Sequence, residues 1–127
     1  MRRKKTELAK NKDELWKWFS KYIRLRDKGI CFTCGRYAEG SGYHAGHFVP
    51  SAVCGLILRY DEDNVNGQCY NCNINLGGNQ YEYAKRLGLK KAEKLLKMKN
   101  IVIHNSEFPF LAKIEYYKAK VKELESN

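Results

Sequence analysis

Two cysteine pairs, Cys31-Phe-Thr-Cys34 and Cys69-Tyr-Asn-Cys72, constrain what this chain can fold into more than any other feature. A CxxC turn places two sulfurs on one side of an ion, and two such turns complete the four-thiolate tetrahedron of a structural zinc site. A redox role would account for one pair and leave the other unexplained. Four thiolates leave no open position for water, so the expected ion is structural Zn2+ on Cys31, Cys34, Cys69 and Cys72. Binding it contributes directly to folding and closes residues 31–72 into a loop. The fifth cysteine, Cys54, stands alone and reads as a buried or incidental thiol. An odd count without a secretion signal argues against a disulfide framework.

The chain has 127 residues, enough for one domain with helical extensions. Its 24 Lys and Arg against 14 Asp and Glu leave a formal charge of +10. Such a charge favours a polyanionic partner, with nucleic acid ahead of an anionic membrane surface. No hydrophobic run approaches the roughly 18 residues of a membrane span. The segment Met1-Arg2-Arg3-Lys4-Lys5 has no apolar stretch behind it, so it does not read as a secretory signal, and an intracellular protein is expected.

Residues 1–10 read as a basic arm, disordered until it binds DNA. An amphipathic helix is expected over 12–27, capped by Asn11, with Leu15, Trp18, Phe19, Tyr22 and Ile23 on one face. Residues 37–49 look like a hairpin, 50–63 like a loop carrying Leu56-Ile57-Leu58, and 64–68 like a short extended piece. A helix should begin near Cys72 and stop at Gly77-Gly78. Helices follow over 80–87, 89–99 and 107–125, the last with Phe110, Ile114, Tyr117 and Val121 on one stripe and Pro109 in its first turn.

Inside the cysteine loop lie Tyr43-His44-Ala45-Gly46-His47-Phe48-Val49-Pro50 and Asp61-Glu62-Asp63-Asn64-Val65, with Asn73 at its closing edge. Phosphodiester hydrolysis requires an activated water and a stabilised leaving oxygen. A neutral imidazole can take the proton near pH 7. A divalent cation can stabilise the charge that develops on the phosphate.

A histidine on a strand, an asparagine in the following loop and a metal-binding side chain at a helix start resemble an HNH (ββα-metal) nuclease. That resemblance implies an α+β fold: a small zinc-stapled, treble-clef-like core with an N-terminal helix and a C-terminal helical extension. The units would be the basic arm 1–10, a nuclease core over 11–79 and the extension over 80–127. The resemblance also assigns His47 as general base, Asn64 as the residue that fixes the loop and Asn73 as a ligand of catalytic Mg2+ or Mn2+. The HxxH and CxxC-Asn pattern is similar to endonuclease VII-type junction resolvases. Many family members carry Asp before the base histidine, where this chain has Gly46. His44, an acidic residue of 61–63 or a more weakly held metal would have to compensate, and His44 is the preferred choice. An imidazole there would tilt the site toward Mn2+, Ni2+ or Zn2+.

A nearer resemblance covers about residues 15–80. Phe19-Ser-Lys-Tyr-Ile-Arg-Leu-Arg-Asp27, His44-Ala-Gly-His47, Leu58-Arg-Tyr-Asp-Glu-Asp-Asn64, Gln68-Cys-Tyr-Asn-Cys-Asn73 and Gly78-Asn79 look like the phage NinG (Rap) recombination proteins. This implies a phage-encoded, structure-specific endonuclease acting in the host cytoplasm on branched double-stranded DNA such as D-loops and Holliday junctions. Arg24, Arg26, Arg36, Arg59 and the lysines of 85–99 are the candidate DNA contacts, with Arg59 the sharpest. Two symmetric cuts make a homodimer mechanistically attractive. The helices after residue 89 could supply its interface or equally pack on their own zinc core. The competing function is a non-catalytic zinc-finger DNA-binding module, for which Gly46 is the best argument.

Overall fold

The computed structural model describes residues 4–126. Helix α1, Glu7–Asp27, starts earlier than its apolar pattern suggests. Thr6, not Asn11, caps it, accepting a hydrogen bond from the Ala9 N–H at 3.1 Å. The reason is Leu8, which stands seven residues before Leu15 and packs on the same core. Of the expected basic arm, residues 7–10 are therefore helical, and residues 1–3 lie outside the described residues. At the far end Lys28 turns left-handed and its N–H bonds back to the Arg24 carbonyl.

The sheet has two antiparallel strands, β1 (Tyr43–His47) and β2 (Val65–Cys69). The expected hairpin within 37–49 is not formed. β1 pairs instead with β2, His44 opposite Gln68 and Gly46 opposite Asn66. The connection between the strands holds α2, Gly55–Arg59, where a loop was expected. Leu56 and Leu58 are its buried positions, so burial drives this short helix. After β2 the chain makes a single π-helical turn, Asn71–Asn75. α3 (Gln80–Leu87), α4 (Leu89–Met98) and α5 (Phe110–Glu125) follow.

Two cores hold these elements. In the first, Leu15, Phe19 and Ile23 of α1 pack on Ala45 and Val65 of the sheet and on Ile114 and Tyr117 of α5. Leu15, Phe19 and Ile23 are fully buried, each contributing about 1.5–3 kcal/mol. In the second, Phe48, Val49, Cys54 and Leu58 meet Tyr83 of α3 and Ala92 and Leu95 of α4. The C-terminal helices thus pack on the cysteine-bearing core of their own chain. No helix among the described residues is long and apolar enough to cross a membrane.

Candidate metal centre and active-site cleft

The sulfurs of Cys31, Cys34, Cys69 and Cys72 all lie within 4.8 Å of one another. Cys34 and Cys69 are 3.8 Å apart, close to the edge of about 3.8 Å that a tetrahedron of 2.3 Å Zn–S bonds requires. Four such cysteines can hold a metal ion such as zinc. Burial opposes ionisation of Cys31, but the Thr33 hydroxyl and nearby backbone N–H groups outweigh it and bring the thiol down to about 6. Burial and the neighbouring cysteines push Cys34 up to about 12. A metal bound by these sulfurs would displace the protons of the thiols. Cys54 lies apart in the second core, its thiol pushed up by burial.

Beside this centre a cleft of about 530 Å3 is lined by Trp16, Ala45, His47, Ser51, Ala52, Arg59 and Asn73. A smaller one, about 290 Å3, shares Trp16, Ala45 and Asn73 and adds Ser20, Arg24, Tyr43 and His44. The two clefts share Trp16, Ala45 and Asn73, and each is lined by one arginine, Arg59 in the larger and Arg24 in the smaller. A larger cleft, about 570 Å3, lies between Leu8 and Phe108–Ala112 and holds no titratable group, so size does not locate the chemistry.

His47 is the last residue of β1. Its Nε2 sits 3.0 Å from the Arg59 carbonyl oxygen. A carbonyl only accepts, so Nε2 carries the proton and Nδ1 keeps its lone pair. Burial pulls the imidazole below its ordinary range; the carbonyl works against this and the Arg59 charge with it. The ring is therefore neutral at pH 7, with its Nδ1 lone pair available to take a proton.

Asn64 is fully buried. Its Oδ1 accepts from the Val49 N–H at 2.7 Å, and its Nδ2 donates to the Val49 and Leu58 carbonyls at 3.2 and 3.0 Å. It ties the segment after His47 to the end of α2, which fixes the Arg59 carbonyl that His47 addresses. Asn73 follows Cys72 in the π-helical turn. Its Nδ2 lies 2.9 Å from His44 Nδ1, while His44 Nε2 donates to the Ser41 carbonyl at 2.9 Å. The Ser41 contact leaves Nδ1 as an acceptor, so the Asn73 amide must present its nitrogen there and its Oδ1 elsewhere. His44 thus uses both nitrogens and acts on the cleft through Asn73.

The acidic residues of 61–63 do not line the clefts. Asp61 Oδ1 accepts from the N–H groups of Asp63 and Asn64. Glu62 accepts from the Tyr117 hydroxyl at 3.1 Å, and Asp63 pairs with Lys91 at 3.5 Å. Arg59 lines the cleft and is held by the Ser51 carbonyl at 2.9 Å. Arg24 lines the smaller one. Arg36 is exposed beside the first cysteine pair. Arg26, expected as a DNA contact, is engaged within the chain. Its guanidinium grips Asp27 at 2.7 and 3.0 Å and donates to the Glu62 and Val65 carbonyls and to Asn66. Asp27 in turn accepts the Gly67 N–H at 2.7 Å, so the pair nails α1 to β2.

Three contributors were not read from sequence. Trp16 stands off the α1 core stripe, and a large aromatic at such a position was the available signal. Gln68 lies next to a cysteine ligand and is fully buried, donating to Thr33 and to the Gly78 carbonyl. Tyr83 donates to the Gly46 carbonyl at 2.7 Å. Nothing in their local patterns marks the last two.

The fold is thus a small α+β core, with a two-stranded sheet and four clustered cysteines that could hold a metal ion. The family model described as "Bacteriophage Lambda NinG protein" matches residues 1–127, and the chain belongs to this family. It is 32% identical over 79 residues to Protein ninG of Salmonella phage P22, covering 58% of this chain and 38% of that protein. Protein ninG of Escherichia phage 933W is 36% identical over 67 residues, covering 52% of this chain and 32% of its own length. Protein ninG of Escherichia phage lambda is 34% identical over 67 residues, with the same two coverages. The matched stretches thus span about a third of the curated relatives. No solved structure matches.

Proposed function

We propose that the chain carries the active site of an HNH-type, metal-dependent endonuclease, related to endonuclease VII-type resolvases, that cuts branched DNA recombination intermediates. The observation that carries this reading is the neutral His47, its Nδ1 lone pair free, in a cleft it shares with Asn73 and Arg59. Asn64 supports it by holding the Leu58 carbonyl, one residue before the Arg59 carbonyl that sets the tautomer of His47.

His47 Nδ1 takes the proton from a water. The resulting hydroxide attacks phosphorus, the P–O3′ bond breaks, and the leaving 3′ oxygen is protonated from solvent. Arg59 and Arg24, one in each of the two adjoining clefts, bind phosphates of the bound strand, and charge-assisted contacts of this kind suit guanidinium groups. The net charge of +10 draws the duplex in.

A divalent ion is implied by the nuclease reading, and its donor set is sparse. No carboxylate lines either cleft, and among the described residues the one close group of three or more His, Cys, Asp or Glu side chains is the cysteine cluster. Asn73 Oδ1 is turned away from His44 and has no hydrogen-bond partner among the described residues. One amide oxygen fits an ion that arrives largely hydrated and completes its shell with phosphate oxygens, as Mg2+ and Mn2+ do. Such an ion supplies Lewis-acid stabilisation of the charge on the phosphate and leaving oxygen.

The lack of a carboxylate favours a second reading, a zinc-finger DNA-binding module without catalysis. Incubation of a four-way junction with the zinc-loaded protein in Mg2+ or Mn2+ separates the two. The nuclease reading expects nicking by wild type, and an Asn73→Ala variant that binds the junction without cutting it. Binding without nicking under either ion would establish the module instead.

A further inference from the structure

The indole of Trp16 lies 5.2 Å from the His47 imidazole, centroid to centroid, with the rings inclined by only 20°. We propose that Trp16 is the positioning residue of His47, holding the imidazole plane so that Nδ1 stays directed into the cleft. The inference rests on the reading of His47 as general base.

The argument starts from the constraints on that ring. Among the described residues the His47 imidazole has a single hydrogen bond, from Nε2 to the Arg59 carbonyl. One such bond selects the tautomer, but the ring can still tilt about the N–H···O axis. The second constraint must come from packing, and on α1 the side chain in place to supply it is Trp16. The indole is itself anchored, since it contacts the fully buried Phe19 with centroids 6.0 Å apart. It is also the wall common to both clefts, together with Ala45 and Asn73. A rigid, core-backed plane therefore lies against the base, in the cleft that Arg59 also lines. A small misplacement of a reacting group is expensive in rate, so the stack should matter to turnover more than to affinity.

The test uses the full zinc-loaded chain and single-turnover cutting of a four-way junction at saturating protein. Trp16→Phe, which keeps a flat ring, should stay within about threefold of wild type, while Trp16→Ala should cut about 30- to 100-fold more slowly. Junction affinity should be unchanged in both. Trp16→Leu, which retains bulk without a flat face, should behave like the Ala variant. Zinc content and circular dichroism report whether each variant is folded. In proton NMR, the ring-current shift of the His47 side-chain protons should be present in wild type and lost in Trp16→Leu. Wild-type cutting rates in folded Trp16→Ala or Trp16→Leu would overturn the proposal. So would a loss of affinity with the saturated rate intact, which would make the indole a DNA contact. A wild type that does not cut at all would overturn the underlying base assignment, a result distinct from either.

Discussion

At the residue scale, Gly46 is where the chain departs from the nuclease pattern, and its surroundings explain the departure. A Cβ at Gly46 would stand 1.9 Å from Gln68 Oε1, 2.8 Å from Gln68 Cδ and 3.1 Å from Asn73 Oδ1. Gln68 cannot retreat, because its Nε2 is held by Thr33 and by the Gly78 carbonyl. Its Oε1 is a buried acceptor with no hydrogen-bond partner, packed instead on the bare Gly46 backbone. An Asp here would have to displace a side chain that connects, through Thr33, to the Cys31 sulfur. Gly46→Asp should therefore destabilise the protein by about 2–3 kcal/mol, and Gln68→Ala in the same chain should recover part of the loss. Urea unfolding of the single and double variants measures this. A Gly46→Asp protein as stable as wild type would show that Gln68 is not fixed as described.

At the scale of elements, α1 ties the molecule together. It presents Leu15, Phe19 and Ile23 to the core, Trp16 to His47, and Arg26 and Asp27 to β2. Arg26→Ala should cost about 2–3 kcal/mol, since it strips charged hydrogen bonds from a half-buried carboxylate and two carbonyls. Arg26→Lys should recover little, because an ammonium cannot reproduce the fork that holds Asp27. A loss below about 0.5 kcal/mol, the usual range for surface changes, would contradict this role. Arg26 also shows what a sequence leaves hidden. Its spacing puts it on the same side of α1 as Leu15, Phe19 and Ile23, but what it grips there comes only with β2, about 40 residues on. The same limit hid the β1–β2 pairing, since strand partners separated by α2 leave no local signal. What was legible was local or periodic: the cysteine spacing, the buried stripe Phe110, Ile114, Tyr117 and Val121, and α3 ending at Gly88. His47, Asn64 and Asn73 were legible as types in order, and the cleft brings His47 and Asn73 together. That His44 orients Asn73, and that Trp16 backs His47, depends on contacts no spacing encodes.

At the scale of the whole molecule, the cysteine centre and the cleft are neighbours with separate chemistry. The centre has four sulfurs within 4.8 Å of one another, which could hold a metal such as zinc. The cleft has an imidazole, an amide oxygen and two guanidinium groups, and no carboxylate. Cys72 and Asn73 are consecutive, so a metal on the first directly fixes the backbone of the second. The C-terminal helices use their apolar faces within the chain, α5 against α1 and α4 against Phe48, Val49 and Leu58. The most direct test of the central claim is the single-turnover rate of four-way junction cutting in Mn2+ by wild type and His47→Ala, each verified to hold one zinc per chain. The account predicts equal junction affinity and a rate about 10²–10⁴ lower for His47→Ala, the usual contribution of a general base. A His47→Ala protein that cuts as fast as wild type would contradict it.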